Sequence, residues 1–220
     1  MVRLSRDRYR LYLVTDRRFQ TRELVEVVLE VAAGGATMVQ LREKDLDTRE
    51  LLELGAALLA HLRPLGVPLI VDDRVDVALA LGADGVHLGR KDLPVGVARR
   101  IMGDKYVIGA TASTPEEARA SEAAGADYLG VGAIFPTATK RDHSPVIGFD
   151  GLAKVCRAVS IPCVAISGIA RENAAHAIGA GAAGVAVVSA ILAAPDVGRA
   201  ARELRREIDR AIDEREDKRP

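Results

Sequence analysis

The chain has 220 residues, 49% of them hydrophobic, with 31 basic and 31 acidic side chains, so it can bury one sizeable core and carries no net formal charge. Aromatics make up only 3% and no basic run alternates with Phe or Tyr, so nucleic-acid binding has no signal and any anion site must be a local arrangement. No apolar run approaches a membrane span, Met1 to Arg10 lack the apolar stretch of a leader, and Cys156 and Cys163 have neither a second pair nor metal-ligand spacing; a cytoplasmic protein with reduced, buried thiols is expected.

After a frayed extension over residues 1–10, the run from Leu11 to Thr15 is rich in β-formers and stops at Asp16-Arg17, which reads as a first strand. Thr21 stands where it caps a helix from Arg22 to Ala33, in which Leu24, Val27, Val28 and Val31 recur at helical spacing before Gly34-Gly35. The pattern then repeats. Gly-Ala pairs begin at Gly35, Gly82, Gly125 and Gly181, each closing a helical stretch, where glycine suits a helix C-terminus. Each introduces a strand: Thr37 to Leu41, Gly85 to Leu88, Tyr128 to Ile134 and Val185 to Val188. Val67 to Val71, Tyr106 to Ala110 and Ile161 to Ile166 are further β-rich runs.

Amphipathic helices are expected at Glu50 to Leu62, Val75 to Leu81, Pro115 to Ala124, Gly151 to Val159 and Arg171 to Ala180, with a last one from Pro195 to Ile212 and a polar tail over 214–220. About eight strand–helix units in roughly 200 residues is the arithmetic of a single-domain α/β fold, a parallel (β/α)8 TIM barrel spanning 11–213. A doubly wound sheet is the alternative, but Thr15-Asp16-Arg17-Arg18 follows the first strand where that fold places a glycine loop.

Chemistry in such a barrel sits at the C-terminal strand ends. In Gln40-Leu41-Arg42-Glu43-Lys44, period two sends Val39 and Leu41 toward the helices and Gln40, Arg42 and Lys44 toward the mouth. The third strand ends at Asp72-Asp73 and the fourth at Gly89-Arg90-Lys91-Asp92, so Asp73 and Asp92 are candidate Mg2+ ligands; the competing reading pairs Asp73 with Arg74 or Arg42 and makes Asp92 a helix cap. After the sixth strand, Thr137, Thr139 and Lys140 offer donors in a row beyond Pro136, with Gly130 and Gly132 allowing close approach; a solvated loop is the plain alternative. Ser167-Gly168 and Val188-Ser189 close the last two strands, where phosphate is often held. His61 and His176 read as surface helical residues, His87 as a satisfied core histidine and His143 as a loop residue, so neither a hydrolase triad nor a zinc site is indicated.

With those motifs in view, the chain resembles the thiamine phosphate synthase family from Leu11 to Ile191, in Gln-Leu-Arg-Glu-Lys at 40–44, Asp-Asp-Arg-Val-Asp-Val-Ala-Leu at 72–79, Gly-Ala-Asp-Gly-Val-His-Leu-Gly at 82–89 and Pro-Thr-Ala-Thr-Lys at 136–140. The resemblance implies a Mg2+-dependent transferase for small-molecule substrates: it joins a hydroxymethylpyrimidine diphosphate to a hydroxyethylthiazole phosphate, with no nucleic-acid or membrane partner. Homo-oligomerisation stays open. It places the pyrimidine diphosphate against Gln40, Leu41, Arg42, Glu43, Lys44, Asp72, Thr111 and Lys140, and the thiazole phosphate against Thr137, Ala138, Thr139, Gly168, Val188 and Ser189. Arg42, Lys44 and Lys140 take the catalytic role, and Asp73 and Asp92 take the metal. This chain departs from the commoner pattern at Asp72 (often Asn), Thr111 (Ser), Ser113 (His) and Ser167 (Gly). A related thiazole tautomerase and a noncatalytic binder of thiazole or thiamine phosphates are the other readings.

Overall fold

A computed structural model describes residues 4–19, 22–137 and 145–217. Alternation with period two gives each strand one face toward helices and one toward the barrel axis. In β1 (Leu11–Val14), Leu11 and Leu13 join the outer apolar layer while Tyr12 and Val14 point inward. In β2 (Met38–Leu41) Val39 and Leu41 are outer and Met38 is inner, and in β3 (Leu69–Asp72) Leu69 and Val71 are outer and Ile70 inner. With β4 (Gly85–Leu88), β5 (Val107–Ala112), β6 (Tyr128–Val131), β7 (Cys163–Ile166) and β8 (Gly184–Val187), these strands pair in sequence order, all parallel, and β8 returns to β1 to close the barrel.

The helices α1 (Leu24–Ala33), α2 (Thr48–Leu62), α3 (Val75–Leu81), α4 (Val95–Met102), α5 (Pro115–Ala123), α6 (Gly148–Ala158), α7 (Arg171–Gly179), α8 (Ser189–Leu192) and α9 (Val197–Asp217) surround it. The expected TIM barrel is therefore the fold observed.

The Gly-Ala repeat has a structural cause. Gly35, Gly82, Gly125 and Gly181 all adopt positive φ, between +61° and +110°, which a residue with a Cβ rarely accepts. In three of the four repeats the residue after the pair then pins the preceding strand. Thr37 Oγ1 accepts the Leu11 N–H at 3.0 Å, Asp84 that of Leu69 at 2.8 Å and Asp127 that of Ile108 at 2.8 Å. Each repeat thus ends a helix and starts a strand, and three of the four also tie the new strand to the one before through a side chain.

Several boundaries differ from expectation. Thr21 lies outside the described residues, and α1 begins at Leu24 with Glu23 ahead of it. α2 starts earlier, at Thr48, because Asp47 and Glu50 form a reciprocal capping box with both bonds at 2.9 Å. β6 stops at Val131, short of Ile134. α9 runs on to Asp217, past Ile212. The segment Arg6–Tyr9 forms a 3-10 turn whose Tyr9 is buried with the inner cluster, its ring 5.2 Å from that of Tyr128.

Candidate active site

The C-terminal strand ends open onto a cavity of about 310 Å3. Of the residues expected there, Gln40, Arg42, Lys44, Asp72, Asp92, Thr111, Thr137, Gly168, Val188 and Ser189 line it. Asp73 stands behind the lining, bonded to Lys44, and Leu41 does not line it either: its side chain lies in the outer core. Glu43 turns away too, accepting the Arg17 N–H at 3.2 Å, with its other oxygen buried and unpartnered. Burial pushes its pKa up against the bonds from Thr15 and Arg17. Ala138, Thr139, Lys140 and His143 lie outside the described residues.

The ends of β2 and β3 form the charged wall. Lys44 Nζ lies 2.6 Å from Asp72 Oδ2 and also bonds Asp73, while Arg42 Nε stands 3.6 Å from Asp72 and its Nη1 3.5 Å from Asp16. The expected partners for Asp73 are therefore replaced by Lys44, since Arg74 is taken by Asp76 at 2.6 Å and Arg42 sits against Asp72. Asp73 has φ +52°, so the strand has broken there. That break lets neighbouring carboxylates, which alternation would send to opposite faces, converge on one ammonium. Burial raises the Asp73 pKa; Lys44 opposes the rise, and the charges of Asp72 and Asp92 add to it. Burial works against the charge of Lys44, but Asp72 and Asp73 together raise its pKa.

Asp92 is not a helix cap, because Pro94 occupies that position of α4; its Oδ2 accepts the Gly89 N–H at 2.6 Å. Next to it is a residue not chosen from sequence. Arg90 lines the cavity, paired with Glu117 at 3.0 Å and bonded to Ser113, whose hydroxyl in turn donates to the Gly132 carbonyl. Its position one residue past Gly89 at a strand end was the available signal. Asp16, which holds Arg42, stands just past the first strand and carried the same signal.

Among the described residues no group of three or more His, Cys, Asp or Glu side chains is arranged for a metal. Mg2+ needs less, since one or two carboxylates complete its octahedron with water and phosphate oxygens. Asp73 and Asp92 suit that: both are oxygen donors, close enough for the charge of Asp92 to act on Asp73, which shares one lysine with Asp72. The donor chemistry fits.

Opposite this wall the cavity is lined by Ile166, Ser167, Gly168, Val187, Val188 and Ser189. Ser167 holds φ +79° and Gly168 φ +67°, so the serine occupies a left-handed conformation uncommon outside glycine. A side chain on Gly168 would come within 2.6 Å of Phe135 Cβ. The loop leaves no room for one. His87 is buried and bonded, as expected of a core histidine, yet it also lines the cavity floor. Gly130 makes room for its ring, while Gly132 packs against the Ile166 carbonyl.

A family model described as thiamine monophosphate synthase matches residues 11–191. A thiamine-phosphate synthase of Moorella thermoacetica is 51% identical over 190 residues, covering 86% of this chain and 90% of the relative. One of Chloroflexus aurantiacus is 52% identical over 198 residues, covering 90% and 91%. The solved structure of thiamine phosphate pyrophosphorylase from Pyrococcus furiosus superimposes with a TM-score of 0.87 at 44% identity, covering 94% of this chain and 98% of that one.

Proposed function

The chain belongs to the thiamine monophosphate synthase family of transferases, and from that premise we propose that it joins 4-amino-2-methyl-5-hydroxymethylpyrimidine diphosphate to 4-methyl-5-hydroxyethylthiazole phosphate, giving thiamine phosphate and diphosphate. One observation carries the finer reading: Arg42 and Lys44 both line the cavity from the loop just after β2, each held by Asp16, Asp72 or Asp73. Cations held in place before reaction need no reorganisation as negative charge develops on a departing group.

In the reaction the bond between the pyrimidine methylene and the diphosphate oxygen breaks, its electron pair leaving with diphosphate. The thiazole nitrogen then gives its lone pair to the methylene carbon. Arg42 and Lys44 bind the diphosphate, and the resemblance to the family assigns Lys140 the same role. Asp73 and Asp92 would hold Mg2+, which when bound offsets charge on the diphosphate oxygens. Gly168 and Ser189 receive the thiazole phosphate on the far wall, which sets the two reacting groups across one cavity. No side chain acts as a nucleophile.

The isomerase reading gains nothing, because Ser113, where that chemistry wants a histidine, is bonded to Arg90 and the Gly132 carbonyl. No helix among the described residues is long and apolar enough to cross a membrane, and the thiols of Cys156 and Cys163 are unbridged; we place the reaction in the cytoplasm on those grounds. Supplying both substrates with Mg2+ and assaying thiamine phosphate tests the proposal.

A further inference from the structure

Below the cavity a continuous chain of hydrogen bonds runs through the barrel interior. Gln40 Nε2 donates to Tyr12 Oη at 2.9 Å, the Tyr12 and Tyr128 hydroxyls are 2.9 Å apart, Tyr128 Oη is 3.1 Å from His87 Nδ1, and His87 Nε2 is 3.1 Å from Thr111 Oγ1. Gln40, His87 and Thr111 line the cavity, whereas Tyr12 and Tyr128 are buried beneath it. The backbone is shaped around these rings. A Cβ at Gly109 would stand 2.1 Å from Tyr128 Cζ, and one at Gly130 would stand 3.0 Å from His87 Cε1. Burial raises the pKa of both phenols, so each keeps its proton.

Counting protons gives the chain a direction. The Tyr12 oxygen receives the amide N–H of Gln40, and the proton of its own hydroxyl goes to Tyr128. Tyr128 then gives its proton to His87 Nδ1, which must be the bare nitrogen of a neutral ring. The ring proton is therefore on Nε2 and is donated to Thr111 Oγ1. With that oxygen accepting from below, the hydroxyl proton of Thr111 is directed to the cavity. A reversed Gln40 amide would run the whole chain backwards, with His87 protonated on Nδ1 and the Thr111 proton spent on the histidine.

We propose that Tyr12, Tyr128 and His87 are positioning residues whose one-way hydrogen-bond relay makes Thr111 a donor to bound substrate, so that the substrate atom facing Thr111 is a lone-pair acceptor and not an N–H. The relay rests on the reading of the cavity as the substrate site, but its proton order is a property of the protein alone.

Two measurements test it. In ligand-free protein with 15N-labelled histidine, two-bond 1H–15N correlation at neutral pH, assigned with His87→Gln, should show His87 as a locked Nε2–H tautomer. Tyr128→Phe should release the lock into a tautomer mixture. An Nδ1–H ring, or a pattern unchanged by Tyr128→Phe, overturns the relay.

In the kinetic arm, Thr111→Val should raise KM for the pyrimidine diphosphate about tenfold, the scale of one lost hydrogen bond, and Thr111→Ser should restore it. Tyr128→Phe should raise the same KM in the wild-type background and add nothing in Thr111→Val. Multiplying effects would reduce Tyr128 to a packing residue and refute the positioning role. If the tautomer is locked as stated but no thiamine phosphate forms, the relay stands and the proposed function falls.

Discussion

Lys44 and Asp72 meet across the ends of β2 and β3 with Nζ and Oδ2 2.6 Å apart, and the same ammonium bonds Asp73. Asp72 also has Arg42 at 3.6 Å, so two cations answer its charge, whereas Lys44 is the cation bonded to Asp73. This explains how the chain tolerates a carboxylate at 72. Asp72→Asn should keep turnover within a few-fold and the same Mg2+ requirement. Asp73→Asn should lower turnover by about 10²-fold or more, the scale of one preorganised charge, and blunt the Mg2+ dependence. Rate against Mg2+ concentration for both variants decides: a raised requirement in Asp72→Asn alone would move the metal ligand to Asp72.

Glu43 gives a pH prediction. Burial lifts its folded pKa above the unfolded value, so the folded state holds the proton more tightly. Its contribution to stability is fully present below the unfolded pKa and is lost as pH rises through the folded pKa; at neutral pH the buried charge costs the fold. Glu43→Gln should therefore raise Tm at pH 7, with the gain shrinking as pH falls through the raised folded pKa and gone once pH is below the unfolded value. Because the Glu43 side chain faces Arg17 and not the cavity, turnover should change little. A gain that grows toward low pH would show that the sign is wrong.

Lys140→Ala should lower turnover by about 10²- to 10³-fold, comparable to removing one donor from a transition state, with Tm little altered. Near wild-type turnover at saturating substrates would remove Lys140 from the mechanism.

The barrel was legible because its cause is local. The Gly-Ala pairs at 35, 82, 125 and 181 each report a positive φ at a helix end, and Val39-Gln40-Leu41-Arg42 carries its inside and outside in its own alternation. What stayed hidden depends on residues brought together by closure. Tyr12 and Tyr128 are 116 positions apart and share a hydrogen bond only because the sheet closes into a barrel. The strand end at Asp72-Asp73 is legible, but the left-handed turn at Asp73 that brings both carboxylates onto Lys44 is not, because nothing local in Asp72-Asp73-Arg74 specifies it. Arg90 was read as part of a strand end; its role depends on Glu117 and Ser113 from the next unit.

At the opposite end of the barrel, Asp127 accepts from Arg99 at 2.5 Å and from the Ile108 N–H at 2.8 Å, with its side chain 1% exposed. Asp127→Ala takes the counter-charge from the Arg99 guanidinium, which keeps its bonds to the carbonyls of Gly103, Tyr106 and Gly125, and orphans a strand N–H, which should cost about 3–5 kcal/mol of stability. Chemical denaturation measures it. Turnover at a temperature where the variant stays folded should be unchanged, and a loss of activity without loss of stability would mean that this end of the barrel communicates with the cavity.

The central claim is that one cavity performs a substitution between a diphosphate donor and a thiazole acceptor. The direct measurement is simultaneous assay of diphosphate and thiamine phosphate with pyrimidine diphosphate, thiazole phosphate and Mg2+ supplied together and with each withheld in turn. The account predicts equal amounts of both products from the full mixture and neither from any incomplete one; rearrangement of a thiazole phosphate without the pyrimidine, and no thiamine phosphate from the full mixture, would contradict it.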